Sequence, residues 1–507
     1  MSDQPKPTLD KDLDKLDLIE TGTRSVLARF VAPGFGLIFL AAATIFAALS
    51  AAESPEVLVV VAGAAIAAYM AMNIGANDVT NNVGAAVGAR AISLAGALLL
   101  AAFFEIAGAI FFGGNVIQTV KSGILEASAI SSSGQTMLIM IGALLAASLW
   151  INIATWINAP VSTTHSIIGA IIGATAAEAG PDAVAWQTVS EITLGWLISP
   201  VLGGLIAAGL LWFIKETILY REDKIAAANR WVPVLLSAMS GAFLTFLLLL
   251  AAERHEDFSN WHALGIGGLG LVISYPAYRD LVARQSRELE NRNQSLKILF
   301  RLPLIFSAAL MSFAHGANDV SNAIGPLAAI VEASGIQTFT SNMDAPFWVV
   351  FIGALGISVG LLLFGPRLIR IVGSQITKLN PFRAYCVSMA SAITVVGASL
   401  AGMPVSSTHV AVGAIFGVGL FREWYTARSA RRKSYIEAKA ASLDASEPGT
   451  PLLPLPRVSS SESENQRYRF LVRRSYLLSI LAAWVVTVPL SALLAAGLVG
   501  LFHLFFA

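Results

Sequence analysis

The sequence predicts an all-α polytopic membrane protein with about 12 to 13 transmembrane helices in two inverted-topology repeats, with broken or half helices at the midplane. Three observations predict this fold class. The composition is too apolar for a soluble protein, long apolar segments alternate with loops of contrasting charge, and two polar motifs each occur twice in the same order.

The composition indicates a membrane protein rather than a soluble enzyme, and we expect no nucleic-acid partner. The 507 residues are 56% hydrophobic and 13% charged, with a net charge of +1, whereas soluble proteins carry about 25% charged residues. Cys386 is the single cysteine, which excludes an intramolecular disulfide and a multi-cysteine metal site. The polar N-terminal segment does not resemble a signal peptide, so the first apolar segment is expected to direct insertion.

The apolar segments define the candidate spans, because a crossing helix needs about 20 apolar residues. We predict spans over 31–50, 57–88, 91–114, 137–158, 160–178, 191–214, 232–252, 263–276, 303–331, 346–366, 384–402, 404–421 and 478–505. The segment 263–276 is short for a full crossing. Two neighbouring pairs, 137–158 with 160–178 and 384–402 with 404–421, are each either two full spans or a re-entrant hairpin.

The distribution of Lys and Arg over the loops predicts the orientation, because basic loops stay in the cytoplasm. The loops 179–190 and 332–345 contain neither residue, whereas 367–383 and 422–476 are rich in both. We therefore predict a cytoplasmic N-terminus, an external C-terminus and a plasma-membrane location, the inner membrane of a bacterium. The predicted domains are a cytoplasmic segment (1–30), a first half (31–214) that includes repeat 1 (57–178), a connecting region with two spans and a cytoplasmic linker (215–302), repeat 2 (303–421), a basic cytoplasmic region (422–476) that is partly disordered around 440–466, and a C-terminal helix (477–507) outside the repeat.

The internal repeat is visible in two motifs. GANDVTNNVGA at 75–85 returns as GANDVSNAIGP at 316–326, and PVSTTHSIIGA at 160–170 returns as PVSSTHVAVGA at 404–414. The loops that follow the two copies of each motif have opposite basic character, so equivalent segments are predicted to cross the membrane in opposite directions. Inverted repeats of this kind are typical of secondary transporters, whose substrate binds near the midplane.

Two acidic residues within apolar spans, Asp78 and Asp319, are the strongest candidates for a cation site. An acid at the centre of a membrane helix costs about 2.5–3.5 kcal/mol and is functional by default. Carboxylate and amide oxygens on one helix face suit a hard cation such as Na⁺. The predicted cation-coupling residues are Asn77, Asp78, Asn318 and Asp319, with Asp78 and Asp319 as the direct ligands. The structural alternative is that these groups only join helices.

The hydroxyl clusters of the second motif predict an anion site. Pro160 and Pro404 are each expected to precede the start of a helix. The first turn of that helix would contain Ser162, Thr163 and Thr164 in one copy and Ser406, Ser407 and Thr408 in the other. Free backbone N–H groups, hydroxyls and the positive end of the helix dipole bind anions. The alternative is that these residues are ordinary N-caps and interhelical hydrogen bonds.

Other polar residues of the spans are assigned weaker roles. His165, His315 and His409 are predicted to make structural hydrogen bonds, and a proton relay is left open because imidazole titrates near neutrality. Glu105 is a further acid within a span of the first half, and its counterpart is Ile357. It is a candidate for assisting the cation path.

The paired motifs closely resemble those of the inorganic phosphate transporter (PiT) family of cation–phosphate symporters. The similarity covers most of 57–178 and 303–421. In that family the duplicated Asp-Asn helices and the hydroxyl-rich helix starts are held to form the phosphate and cation sites. The resemblance therefore implies phosphate binding by Asn81, Ser162, Thr163, Thr164, Asn322, Ser406, Ser407 and Thr408. The chain departs from the pattern in the TNN that follows the first GANDV and in Asn73, whose counterpart is Ala314.

The predicted function is import of inorganic phosphate by symport with Na⁺ or H⁺ through alternating access, in a lipid bilayer, without catalytic residues or a cofactor beyond the co-transported ion. One alternative is a permease for sulfate or another oxyanion. A second is an anion channel or a non-transporting sensor. An intramembrane hydrolase is a third, although no motif places a nucleophile beside a base. The oligomeric state is left open, with a homo-oligomer as one option.

Overall fold

The structure is a computed structural model that describes residues 30–156, 161–254, 259–336, 345–375, 380–429, 432, 434 and 474–506. In these residues the regular secondary structure is helical, apart from one isolated bridge between Leu125 and Val184. The helices are α1 (Phe30–Ser50), α2 (Val57–Gly88), α3 (Leu94–Phe112), α4 (Gly114–Gln118), α5 (Ser133–Trp156), α6 (Thr163–Ala179), α7 (Trp186–Ile214), α8 (Lys224–Arg254), α9 (Asn260–Ser286), α10 (Asn293–Leu299), α11 (Arg301–Asp319), α12 (Ser321–Ala333), α13 (Phe347–Gln375), α14 (Pro381–Leu400), α15 (Ser407–Arg428) and α16 (Arg474–Phe506). The predicted segment 1–30, apart from Phe30, the stretch 440–466 and Pro160 lie outside the described residues.

The helices confirm an integral membrane protein. Nine described helices have the length and hydropathy to cross a membrane, and the pair α10 with α11–α12, bent by 43°, raises the number to ten. The predicted 12 to 13 spans also include α6, α9 and α15, which are shorter or less apolar than these helices. The predicted bounds 263–276 were wrong, because α9 extends over 27 residues and includes polar turns that the apolar window left out.

Capping residues in the sequence determine where several helices begin. The Ser93 side chain accepts a hydrogen bond from the backbone N–H of Gly96 at the start of α3. At the start of α14 the Asn380 side chain accepts from Arg383, and Pro381 occupies the first helical turn, where no N–H is needed. A cap of this kind contributes about 1 kcal/mol, enough to set the first residue of a helix whose apolar interior is uniform.

Two helical hairpins, α5–α6 and α14–α15, point their tips at each other inside the bundle. The Thr164 hydroxyl at the start of α6 donates to the carbonyl of Val405, which precedes α15, at 3.1 Å. The 17 residues of α6 rise by about 26 Å, less than the hydrocarbon thickness of about 30 Å. The other three helices of these pairs have 20 to 24 residues, so re-entrant hairpins and full spans both stay predictions.

The two halves pack through reciprocal glycine contacts. At four glycines an added Cβ would overlap the backbone of a helix from the other half, so only glycine permits the approach. The partners are Gly75 with Ile357, Gly316 with Glu105, Gly108 with Phe313, and Gly360 with Met72. When each residue is replaced by its counterpart in the other half, the contact of Gly75 with Ile357 becomes that of Gly316 with Glu105. In the same way, the contact of Gly108 with Phe313 becomes that of Gly360 with Met72. This reciprocity agrees with the predicted repeat, while the opposite direction of the halves across the membrane stays a prediction.

The C-terminal helix α16 is the counterpart of α7, which corrects the expectation that it lies outside the repeat. Gly417 of α15 meets the backbone of Gly204 in α7, and the equivalent Gly173 of α6 meets that of Ala492 in α16. The same register aligns the sequence AAGL in both helices, at 207–210 and 495–498. The relation is hidden in the sequence because the long region 429–473 separates α16 from α15, whereas only a short turn separates α7 from α6.

Candidate functional site

The site lies where the tips of the two hairpins meet α2 and the junction of α11 with α12. Asp78 is 1% exposed and Asp319 is 0% exposed. The junction is at Val320, between the last residue of α11 and the first of α12. The predicted acids and hydroxyls, which are distant in the sequence, are therefore brought together in one buried cluster.

The carboxylate of Asp78 accepts hydrogen bonds on both oxygens. Its Oδ1 accepts from the Asn77 amide at 3.1 Å, the Asn81 amide at 3.0 Å and the Thr408 hydroxyl at 2.9 Å. Its Oδ2 accepts from the Thr163 hydroxyl at 3.2 Å. The Asn77 amide also donates to the carbonyl of Val161 at 3.4 Å. Donors from both halves thus saturate this carboxylate.

The carboxylate of Asp319 has fewer partners. Its Oδ2 accepts from the Ser407 hydroxyl at 2.9 Å and lies 3.1 Å from Nε2 of His315. Its Oδ1 is buried and accepts no hydrogen bond from any described residue, and the same holds for Oδ1 of Asn322. Two buried acceptor oxygens, one of them on a carboxylate, are therefore available to a ligand.

The contacts repeat across the two halves in a reciprocal pattern. Within each half, the first residue of the hairpin helix donates to the aspartate, Thr163 to Asp78 and Ser407 to Asp319. Between the halves, the asparagine donates to the next hydroxyl. The Asn81 amide lies 2.8 Å from Thr408 Oγ1, and the Asn322 amide lies 3.2 Å from Thr164 Oγ1. The predicted acids, amides and hydroxyls therefore form one interlocked set.

Three of the predicted residues have structural roles in this arrangement. The hydroxyls of Ser162 and Ser406 are N-caps, which accept the backbone N–H groups of His165 and His409 at 3.1 and 3.3 Å. Asn318 binds the α14–α15 turn through three contacts, donating to the Ser399 hydroxyl and the Met403 carbonyl and accepting from the backbone of Val405. Each fixes a hairpin tip in place.

A second network, centred on His315, was largely missed by sequence reasoning. Its Nδ1 lies 3.1 Å from Glu105 Oε1, and its Nε2 lies 3.7 Å from Asp78 Oδ2 as well as near Asp319. The Asn82 amide donates to the same Glu105 oxygen at 2.5 Å. His315 therefore joins three carboxylates. The position of Glu105 within a span was a usable signal, but Asn82 has no internal counterpart to mark it.

His165 and His409 meet each other between the hairpin tips. Their rings are 4.4 Å apart between centroids, and His165 packs against Trp196 at 3.8 Å. The Trp196 indole N–H donates to the carbonyl of Pro404 at 3.0 Å. These ring contacts place both residues behind the hydroxyls rather than beside the carboxylates, and the structural hydrogen bonds predicted for them stay a prediction.

Three buried groups lie close enough together to hold a cation. One carboxylate oxygen each from Asp78 and Asp319 and one ring nitrogen of His315 lie within 4.8 Å of one another. The carboxylate oxygens suit a hard cation such as Na⁺, whereas the imidazole nitrogen is a ligand that transition metals prefer, so Na⁺ stays a prediction. Among the described residues no Lys or Arg pairs with these acids, so their negative charge is opposed only by His315 when it is protonated.

Comparisons with known proteins agree on one family. A model described as the phosphate transporter family matches residues 74–495. A Helicobacter pylori (strain J99) protein described as "Putative phosphate permease" is 41% identical over 91% of this chain and 93% of its own length. A Pyrococcus abyssi protein of the same description is 36% identical over 70% of this chain and 86% of its own length. The solved structure described as "The sodium-dependent phosphate transporter" is similar with a TM-score of 0.74 at 29% identity, covering 89% of this chain and 100% of that one.

Proposed function

The chain belongs to the phosphate transporter family, and from this premise we propose that it imports inorganic phosphate by symport with Na⁺ or H⁺ through alternating access. The observation that carries the proposal is the meeting of two helix N-termini with two buried aspartates, Asp78 and Asp319, at one internal point. Family membership supports phosphate as the substrate. The charges of the site supply the reason for coupling.

Phosphate is held in this proposal by dipoles and hydroxyls rather than by basic side chains. The N-termini of α6 and α15 both point at the site, and a helix N-terminus carries a partial positive charge and free N–H donors. The hydroxyls of Thr163, Thr164, Ser407 and Thr408 and the amides of Asn81 and Asn322 are the nearest side-chain donors. An anion can replace the present hydrogen bonds between these groups.

The two carboxylates make binding of the anion depend on a cation. At an effective dielectric constant of about 20, two unit charges about 4 Å apart interact by about 4 kcal/mol. An anion beside Asp78 and Asp319 is therefore opposed by several kcal/mol unless cations bind with it. A cation between the carboxylates and the phosphate converts this repulsion into mutual stabilisation, so neither solute binds well alone.

The exposure of the site is consistent with one state of an alternating-access cycle. The hydrogen bond between Asn81 and Thr408 is only partly buried, whereas the equivalent hydrogen bond between Asn322 and Thr164 is fully buried. In the predicted orientation the partly buried contact faces the cytoplasm. Rocking of one half against the other would open the second contact and close the first.

Na⁺ is the favoured coupling ion. The similar solved structure is described as a sodium-dependent phosphate transporter, and the open oxygens of Asp319 and Asn322 suit Na⁺ ligation. Proton coupling is the second candidate, because His315 lies between the carboxylates and an imidazole can accept and release a proton. Each net positive charge imported gains about 2.3 kcal/mol per 100 mV of membrane potential.

The test is uptake of radiolabelled phosphate into proteoliposomes with and without an inward Na⁺ gradient. Asp319→Asn should abolish the Na⁺-dependent component, while the exposed Asp182→Asn, the same chemical change away from the site, should not. Uptake that follows a proton gradient instead would assign H⁺ coupling. Uptake of sulfate but not phosphate would favour the oxyanion alternative, and flux without counterflow exchange would favour a channel.

A further inference from the structure

Two equivalent helix pairs cross through matched glycines. α7 packs against α15 through Gly204 and Gly417, and α16 packs against α6 through Ala492 and Gly173. The two crossings have the same register, so each residue beyond the crossing has a counterpart in the other pair. Side chains at the ends of the two pairs can therefore be compared position by position.

The counterparts differ in charge. The register makes Lys215 after α7 equivalent to His503 in α16, and Arg422 in α15 equivalent to Glu178 in α6. At the α6–α16 end the His503 Nε2 lies 2.6 Å from the Glu178 carboxylate. At the α7–α15 end the same two positions hold two cations. An acid–base pair at one end thus corresponds to a like-charged pair at the other.

Lys215 is buried without a carboxylate partner. It is 6% exposed, and its ammonium lies 4.1 Å from the ring centroid of Tyr425 and 5.3 Å from that of Phe421. It forms no ion pair and donates no side-chain hydrogen bond to any residue in the described part of the chain. A buried ammonium costs several kcal/mol unless it is paired, and each of the two aromatic faces offsets about 2 kcal/mol of this cost.

Further cations lie on the α14–α15 hairpin that contacts this ammonium. Arg422 directly follows Phe421, and the charges of Arg383, Arg422 and Arg432 act repulsively on Lys215. Arg432 folds back over the end of α15, where its guanidinium donates to the carbonyl of Thr426 at 3.1 Å. Lys215 follows α7, whereas Arg383 and Arg422 lie on α14 and α15, so their repulsion opposes the packing of α7 against that hairpin.

The nearby acids do not balance these charges. Glu216 accepts a hydrogen bond from the Tyr425 hydroxyl at 2.6 Å and acts on Lys215 at longer range. Glu423 acts on Arg422. Among the residues that the structure describes, two acids stand against four cations, which leaves an excess of positive charge in this part of the chain at the predicted cytoplasmic end.

We propose that Lys215, Arg383 and Arg422 bind a phosphate group at this end, carried by an anionic lipid or present as free cytosolic phosphate. Guanidinium groups bind phosphate oxygens in pairs, and an ammonium adds a compact positive charge. The cytoplasmic leaflet, where this end is predicted to lie, is rich in anionic headgroups. The bound anion bridges α7 of the first half to α14 and α15 of the second and stabilises their described arrangement.

Arg422→Glu is the sharpest test, because it recreates the pairing of Glu178 with His503 and gives Lys215 a carboxylate. The thermal unfolding midpoint of the purified full chain in detergent is measured against short-chain phosphatidylglycerol, with phosphatidylcholine as the neutral-headgroup control. We expect phosphatidylglycerol to raise the midpoint of the wild type and of Arg367→Glu, an exposed charge reversal on α13. Arg422→Glu should show a higher midpoint without lipid and no response to it.

The second titration, with inorganic phosphate, separates the two sources. If inorganic phosphate raises the midpoint of the wild type but not that of Arg422→Glu, the ligand is free phosphate. If phosphatidylglycerol does so, the ligand is the lipid. Wild type that responds to neither ligand, or Arg422→Glu that responds like wild type to both, overturns the site. If Arg422→Glu does not fold, Lys215→Met keeps the apolar stem and should raise the ligand concentration needed by about tenfold or more.

Discussion

The two halves present the same residue types to the central site but use them differently. Asp78 accepts hydrogen bonds from four side chains that occupy both of its oxygens. Asp319 is contacted by Ser407 and His315 on one oxygen, and its other oxygen accepts none from the described residues. The duplicated motif therefore supplies one carboxylate that organises the hairpin tips and one that is available to a ligand.

A second difference between the halves lies in three polar residues that have apolar counterparts. Asn82, Glu105 and His315 correspond to Ala323, Ile357 and Ile74 in the other half. All three are buried, and they contact each other in a chain that ends on Asp319. These three differences form one connected network, which adds a carboxylate and an imidazole on the side of Asp319.

The comparison predicts unequal effects for the two aspartates, and these are the largest effects expected. Asp319→Asn should lower the affinity for the coupling cation by about 100-fold or more, since a carboxylate attracts a cation about 4 Å away by about 4 kcal/mol at an effective dielectric constant of 20. Asp78→Asn should lower it by about tenfold, because the Asp78 oxygens already accept hydrogen bonds and its charge therefore acts on the cation at longer range. Cation titrations of phosphate uptake measure both.

When Asp78 and Asp319 are each replaced by alanine and stability is measured, we expect the larger effect at Asp78. Asp78→Ala removes the acceptor of four donors, and each buried unsatisfied group costs about 1–3 kcal/mol. Asp319→Ala removes fewer contacts and should lower the unfolding midpoint less. Equal shifts in both assays for the two aspartates would contradict the division of roles.

The reciprocal glycines test whether the halves are mechanically equivalent. Gly316→Ala and Gly75→Ala each place a methyl group against the backbone of the other half, at Glu105 and Ile357, and such overpacking costs about 1–3 kcal/mol. Gly209→Ala, with nothing within 4 Å, is the control and should stabilise its helix by up to about 1 kcal/mol. Thermal unfolding measures the stability of all three variants.

Uptake separates the two destabilised variants. Only Gly316→Ala displaces Glu105 directly, so it should reduce transport more than Gly75→Ala at a similar loss of stability. A loss of transport that is the same in both would show that the His315 network has no special importance.

The sequence was sufficient to predict the helical membrane fold and most of the central residues, for one physical reason. Acids and amides within apolar spans are costly, so their duplication marks them, and the helix starts at Thr163 and Ser407 follow from the preceding capping serines. The network of Asn82, Glu105 and His315 was harder to predict, because residues without an internal counterpart carry no repeat signal. Asn318 carries that signal, yet its contacts hold the α14–α15 turn, which depends on packing that no local pattern encodes.

The equivalent hydroxyls sharpen the comparison at a smaller scale. Ser407→Ala removes a hydroxyl donor from the sparsely bonded Asp319, and a hydrogen bond to a charged group contributes about 1.5–3 kcal/mol, so cation affinity should change by about tenfold. Thr163→Val removes one of four donors from Asp78 and should change it by only about two- to threefold. Cation titrations of uptake decide, and a larger effect for Thr163→Val would make Asp78 the more sensitive carboxylate.

The smallest effect is expected at Asn73, where the first half has a polar residue and the second half has the buried Ala314. The Asn152 amide donates to Asn73 Oδ1 at 3.2 Å but also to the Tyr69 hydroxyl at 2.5 Å, so it keeps a partner when Asn73 is removed. Because the contact is partly exposed and contributes about 0.5–1.5 kcal/mol at most, Asn73→Ala should change uptake by less than about threefold. Uptake kinetics that change by more than about tenfold, or a changed number of cations per phosphate, would extend the site along α2 and make this asymmetry functional.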